Sequence, residues 1–383
     1  MSQPRVLIIS QRDRADGFGR QPGYIPFLEA EDVLAQCTEA DMVMVKQGLD
    51  HTSVRLRRLA NNLQRQIIGA PRSRVTPPAL FDLPGPGTTS GHVELGRNGL
   101  ATSHYDVTVF VALTPWDLPL LRSALKSVST DRVIVWFPEL WSSSLSDRRI
   151  TREPFEAVDA IFVGMAASSR RLADLTEIPT SYLPMAVDVE RFTGLERNTH
   201  RPLDVMAIGR RHAKLHEILL GWARQHGRMY LYDTISGAKV QNPSEHRENL
   251  AETYRRANVA ITNFAKFDQP SICGDEREIP GRLWEAMASG TLMTGLAPDG
   301  DIQRAAVGQQ VVLPIPENTD SAVLQIERLV TSDTSAERRY LMDLAARNHD
   351  WAHRWSTALH SVGVPPHDGL EQRIGLLGEL ASR

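Results

Sequence analysis

A carboxylate set inside a helix that opens directly after a polar, glycine-containing loop is a chemically specific arrangement. This chain carries one at Glu276-Arg-Glu-Ile-Pro-Gly-Arg-Leu-Trp-Glu-Ala-Met-Ala-Ser-Gly290. Pro280 suits the first helical position and Gly290 the position just past the end, so the spacing predicts a short helix between them. The start of a helix offers free backbone N–H groups and a positive dipole end, which together accept a phosphate. Glu285, one to two turns in, is then placed to accept hydrogen bonds from ribose hydroxyls. The pattern predicts a nucleotide-diphosphate site, with Gly281 and Arg282 at the helix start. Arg282 lies three residues before Glu285, and the two could instead pair with each other on one helix face.

A second cluster lies in Val205-Met-Ala-Ile-Gly-Arg-Arg-His-Ala-Lys214. A strand should end at Ile208, Gly209 should supply a tight turn, and Arg210, Arg211 and Lys214 follow where a helix begins. Cations there oppose the helix dipole, so an external anion is the better reason for them than a solvated helix start. Arg210 and Lys214 are expected to face that anion and to stabilise charge building up on a leaving diphosphate; Arg211 is expected to face solvent. Asn263 and Lys266 lie just past another predicted strand, where Lys266 could add a phosphate contact or equally be a surface charge. No Asp-x-Asp stands at the end of a predicted strand and no His/Cys cluster has ligand spacing, so no metal site is expected.

On the acceptor side the signals are thinner. Val133-Ile-Val-Trp-Phe-Pro-Glu-Leu-Trp141 sets Glu139 past a strand end among aromatic residues, where it could hold an acceptor or act as a base, or simply cap a loop. Gly17 and Gly19, in the glycine-rich loop after the first strand, should border the cleft, although their spacing is not a dinucleotide fingerprint. His92, His104 and Asp117 are further candidates for acceptor contact.

These residues need a scaffold, and the chain supplies a repeating one. Short apolar runs at 6–10, 42–46, 107–113, 133–137 and 160–164 read as buried strands, with helical patterns at 53–68 and 118–127 between them. A polar linker at 193–202 precedes a second series at 203–208, 229–232, 259–264, 292–295 and 310–313. Alternation of this kind predicts α/β layering with parallel strands. Helical patterns at 336–346 and 351–362 close the chain, and Trp351, Trp355 and Leu359 form one stripe. The domains are expected at 1–195 (acceptor), 203–345 (nucleotide sugar) and 346–383 (helices packing back on the first domain).

Composition narrows the class. The chain has 383 residues, 42% of them hydrophobic and 23% charged, with a formal charge of −3 that argues against nucleic-acid binding. Two cysteines far apart, Cys37 and Cys273, suggest a reducing compartment. The first apolar run is too short for a signal peptide and nothing approaches a spanning helix, so a cytoplasmic protein is expected. Residues 54–74 hold six arginines and no acid. That segment suits an anionic membrane surface, an acidic acceptor or a partner, or else a solvated basic helix, the more ordinary reading. The stretch at 71–103, rich in Pro and Gly, should be a long loop.

Arg282-Leu-Trp-Glu-Ala-Met-Ala-Ser-Gly290, Leu183-Pro-Met-Ala-Val-Asp-Val-Glu-Arg-Phe192 and the Gly209-Arg210…Lys214 cluster occur in the order seen in GT-B glycosyltransferases. The chain resembles the family-four retaining group and the spore-maturation-type transferases related to it. The likeness covers roughly 183–295. Ala186 stands where a glycine is usual, and Arg277 stands where the first glutamate of the family-four pair would be, with Glu276 and Glu278 on either side. The resemblance implies two Rossmann-like domains facing each other across a cleft, with the last helices returning to the first domain. It implies Glu285 on the ribose, Arg210 and Lys214 on the diphosphate, and a UDP-, GDP- or dTDP-linked sugar as co-substrate, with no further cofactor. Transfer with retention to a small-molecule or glycan acceptor is the expected reaction; inversion would require Glu139, Asp117 or a histidine as base. A nucleotide-sugar epimerase or hydrolase, and a non-catalytic scaffold or sensor, are the alternatives.

Overall fold

Residues 3–12, 18–44, 104–146, 152–195, 200–234 and 239–382 are described by a computed structural model. The first sheet contains β1 (Val6–Ser10), β2 (Asp41–Met44), β3 (His104–Val111), β4 (Ser129–Phe137), β5 (Ala160–Val163) and β6 (Thr180–Tyr182), in the order β2-β1-β3-β4-β5-β6. The second contains β7 (Leu203–Ala207), β8 (Tyr230–Tyr232), β9 (Ala257–Ile261), β10 (Leu292–Gly295) and β11 (Val312–Pro314), in the order β11-β10-β9-β7-β8. All strand pairings are parallel. Parallel sheets are covered on both faces, which is why strands such as Val-Leu-Ile-Ile-Ser of β1 read as unbroken buried runs.

Most expected strands appear within two or three residues of their expected limits. The exceptions have physical reasons. β6 is Thr-Ser-Tyr, without an apolar run, because it lies at a sheet edge and buries little. β9 stops at Ile261, which leaves Asn263 and Phe264 in the loop beyond it. The helix Ile25–Thr38 has no clean apolar stripe because it is covered on two sides. Phe27, Ala30, Val33 and Leu34 are buried, and the helices Trp351–Ser361 and Asp368–Leu380 pack against it. The helical pattern at 53–68, the basic segment 54–74 and the loop 71–103 lie outside the described residues.

The tryptophan stripe does bring the end of the chain back to the first sheet. Trp136 of β4 meets Trp351 and Trp355 edge-on, with ring centroids 5.4 Å and 5.8 Å apart. Trp355 also donates its indole N–H to the Ala30 carbonyl at 2.7 Å.

Two arginines then fasten the halves together. Arg247, on the helix Pro243–Arg255 of the second half, is 3% exposed and pairs with Glu29 of the first half and with Glu285. Its guanidinium lies over the Phe192 ring, 4.5 Å from the centroid. Burial disfavours the charge, but the two carboxylates more than offset this and its pKa rises. Glu29 also accepts the Trp351 indole N–H at 3.1 Å and the Asp188 backbone N–H at 3.0 Å. Arg373 pairs with Asp350 at 2.8 Å, Asp188 at 2.7 Å and Glu190 at 3.0 Å. The connecting segment Leu183–Phe192 is therefore held from both sides.

Removing one partner of a buried ion pair leaves uncompensated charge. Arg247→Met is expected to cost about 3–5 kcal/mol of stability, measured by urea unfolding. A loss below about 1 kcal/mol, the size of a surface pair, would mean that this bridge does not hold the halves together.

Candidate functional site

The carboxyl ends of the two sheets face one another, because residues just past strands of opposite sheets touch. Glu139 after β4 pairs with Lys266 after β9 at 3.1 Å. The Ser143 hydroxyl donates to the Ile272 carbonyl at 2.7 Å, and Ser142 bonds Glu276. Glu278 reaches furthest. Its carboxylate accepts the Ala167 backbone N–H at 2.9 Å, capping the helix Ala166–Thr176 of the first domain. Burial pushes the Glu278 carboxyl pKa up, and the Ala167 and Ala166 N–H groups pull it partly back.

The second sheet carries the groups suited to a diphosphate. Gly209, directly after β7, has φ of +86°, a conformation open to glycine at little cost. The Arg282 guanidinium lies over this glycine so closely that any Cβ would collide with it. The Gly209 N–H is donated to Asp233, just past β8, at 2.9 Å, which fixes the turn. Arg282 comes from the first turn of the helix Gly281–Ala288, whose N-cap is Pro280 and whose opening N–H groups have no side-chain cap. A glycine turn, a helix start and a guanidinium thus converge. Arg282 makes no ion pair among the described residues; the pairing with Glu285 that helix spacing allowed is absent, because Glu285 is taken by Arg247.

The other expected donor residues fall into two groups. Arg210 is exposed beside the turn and pairs with Asp268 at 3.0 Å, while Lys214 is exposed and donates to the Glu317 carbonyl at 3.4 Å. Asn263 is inward and structural in its contact, its side-chain carbonyl accepting the Leu296 N–H at 2.9 Å to tie the ends of β9 and β10. Glu285 is buried: its carboxylate faces Arg247, and the nearby Tyr254 phenol is pushed up in pKa by burial and then by that carboxylate. Arg211 corrects the expectation that it faces solvent. Its guanidinium stacks on Tyr232, 5.2 Å from the ring centroid, and one of its nitrogens is buried.

The acceptor-side candidates are not gathered into one site. His104 stands at the amino end of β3, bonded to Ser129 and Asp131 at 2.9 Å and 3.1 Å, on the side of the sheet away from the cleft. Asp117 is buried and accepts the Leu113 and Thr114 backbone N–H groups at 2.8 Å and 3.1 Å, holding the turn after β3. Gly19 packs against the Arg12 carbonyl with no room for a Cβ. Glu139 reaches across to the second domain through its ion pair with Lys266. His92 and Gly17 lie outside the described residues.

Several groups escaped the sequence reading. Asp233 could have been found, since an acid directly after the second strand of a βαβ unit is a known position for holding the first turn or a ribose. Glu31 could not, because in the acidic run Glu29-Ala-Glu-Asp32 nothing marks it apart from a solvated helix acid. It is buried at the carboxyl end of β1, with Ser10 at 2.5 Å and Arg12 at 3.1 Å. Burial raises its pKa from the usual 4.5 to about 7, against the opposing pull of Arg12 and Ser10.

Among the described residues no group of three or more His, Cys, Asp or Glu side chains could hold a metal ion, and no helix is long and apolar enough to cross a membrane. A scan against models of known protein families finds no match, and no curated protein matches the chain. Solved structures do. An alpha-glucosyltransferase in complex with UDP and a 13-mer DNA containing a central A:G mismatch is similar with a TM-score of 0.54 at 11% identity, covering 94% of this chain and 100% of that one. An alpha-glucosyltransferase in complex with UDP-glucose and DNA containing an abasic site is similar with a TM-score of 0.50 at 12% identity and the same coverage. The chain has the GT-B fold, two Rossmann-like domains with parallel sheets. At these identities the likeness extends to the fold alone.

The Glu31 pKa gives a signed expectation. The folded carboxyl holds its proton up to about pH 7 while the unfolded one releases it near pH 4.5. Its stabilising contribution is complete below the lower value and is lost as pH rises through the upper one. Glu31→Gln should therefore gain stability relative to the parent between pH 4 and pH 8, by urea titration at a series of pH values. Parallel pH profiles for the two proteins would show that Glu31 ionises as it does in the unfolded chain.

Proposed function

We propose that the chain is a glycosyltransferase that moves a sugar from a nucleotide-diphosphate donor to a small-molecule or glycan acceptor, with retention and without a metal ion. The observation that carries this reading is the guanidinium of Arg282 lying over the Gly209 turn, beside an uncapped helix start and without an ion-pair partner among the described residues. Cationic and backbone donors fixed at one point suit the charge that a diphosphate leaving group develops. Arg210, exposed beside the turn, and Lys214, exposed in the first turn of the helix Ala213–His226, are the further cations we assign to the diphosphate. In a retaining reaction the leaving phosphate oxygen takes the acceptor proton on the same face, so no strong enzymic base is required.

The likeness to the family-four and spore-maturation-type segments supports retention, and the formal charge of −3 supports a small-molecule or glycan acceptor over a nucleic acid. The free Cys37 and Cys273 support a reducing compartment, and we place the protein in the cytoplasm on that basis. Glu285 is assigned to the ribose through the carboxylate that Arg247 holds in place.

A panel of UDP-, GDP- and dTDP-sugars, added in EDTA, tests the reading. One nucleotide class should raise the melting temperature, because a ligand that binds only the native state stabilises it. Arg282→Ala should weaken that binding by about 1.5–3 kcal/mol, the range for a charged hydrogen bond. Donor consumption without an acceptor would turn the reading toward an epimerase or hydrolase, and no binding from any class would end it. Glu285→Gln separates ribose binding from packing: a ribose ligand lost should cost about 1–3 kcal/mol of donor affinity beyond any change in melting temperature. Unchanged affinity in a destabilised variant would leave Glu285 only its pairing with Arg247.

A further inference from the structure

Two oppositely charged side chains from the two domains meet inside the cleft. Glu139 and Lys266 are 3.1 Å apart, and each is about one-fifth exposed, at 21% and 22%. Lys266 has φ of 53°, a left-handed conformation that a lysine holds only where its surroundings fix it. The loop carrying it rests on the diphosphate turn. Phe267 packs on His212 with ring centroids 6.2 Å apart, and Asp268 pairs with Arg210 at 3.0 Å. On the other side the Lys266 ammonium is 5.9 Å from the Trp141 ring, whose indole N–H is buried without a partner among the described residues. The ammonium is thus held by the Glu139 carboxylate, while the two residues that follow it in the loop rest on the turn assigned to the donor diphosphate.

We propose that Lys266 is an exchangeable counter-ion, held by Glu139 until a donor diphosphate takes it. The inference rests on the glycosyltransferase reading and adds to it a coupling between the donor and acceptor sites. A single ammonium cannot neutralise two anions at once, and the diphosphate carries the greater charge. When Lys266 turns to the donor, Glu139 loses its counter-ion and its oxygens become free to accept a hydroxyl hydrogen bond. No bond is made or broken in this exchange; the ammonium keeps its proton and changes its partner. The signs are fixed by linkage: Glu139 opposes donor binding, Lys266 favours it, and a bound donor favours the acceptor.

Titration calorimetry with UDP, GDP and dTDP in turn, on the parent chain, Glu139→Gln, Lys266→Met and the double variant, tests the exchange. Glu139→Gln is expected to bind the recognised nucleotide about three- to tenfold more tightly, and Lys266→Met more weakly by at least that factor. In the Lys266→Met background, Glu139→Gln should change nothing, because the contested ammonium is gone. A pair that only holds the domains together predicts the same sign for both single variants. Equal or weaker binding by Glu139→Gln overturns the exchange while leaving the glycosyltransferase reading intact. A parent chain that binds none of the three nucleotides removes that reading, and the exchange with it.

Discussion

One guanidinium decides how the two halves of this protein can sit. Arg247 is almost fully buried between Glu29 of the first domain and Glu285 of the second. Neither carboxylate could be buried at that depth without it, since an isolated charge in such a place costs several kcal/mol. Glu29 in turn takes the Trp351 indole and the Asp188 backbone N–H, so the returning helix and the interdomain segment are fixed by the same group. Arg373 repeats the arrangement with Asp350, Asp188 and Glu190. Both centres are deeply buried, whereas the contacts between the strand ends of the two domains are weaker and more exposed.

Those weaker contacts have a different character. Ser142, Ser143 and Glu139 meet Glu276, Ile272 and Lys266 through single hydrogen bonds and one partly exposed ion pair. Such contacts are worth little individually. Glu278 is the exception, buried and capping a helix of the opposite domain. Its raised pKa shows the cost of that burial, offset in part by two backbone N–H groups.

The fold was more legible in the sequence than the site. Buried parallel strands are continuous apolar runs, and the segments that became β1, β4, β7 and β10 declared themselves by hydrophobicity alone. Gly209 and the helix after Pro280 were legible because turn and helix-start chemistry is local. Glu285 shows where that logic stops. Spacing placed it on the right helix but could not reveal that Arg247, 38 residues earlier, would claim its carboxylate. His104 lies at the amino end of β3, because which end of a strand faces the cleft depends on the register of the whole sheet, and the Asp117 carboxylate is engaged by the Leu113 and Thr114 N–H groups of its own turn. Arg211 was misread because an aromatic partner, Tyr232, arrives from the neighbouring strand.

The return of the last helices to the first sheet also dictates when the protein can finish folding. Ala30 and Trp355 share a hydrogen bond although 325 residues separate them in the chain. Gln3 likewise bonds the backbone at Asp368. A ribosome adding about 5–20 residues per second needs on the order of 20–60 seconds to span that interval. Until it has passed, Trp136 and the helix Ile25–Thr38 lack the cover that Trp351 and Trp355 give them. The first domain made is therefore the last one closed, and the growing polypeptide carries an unsealed apolar seam until its final turns emerge.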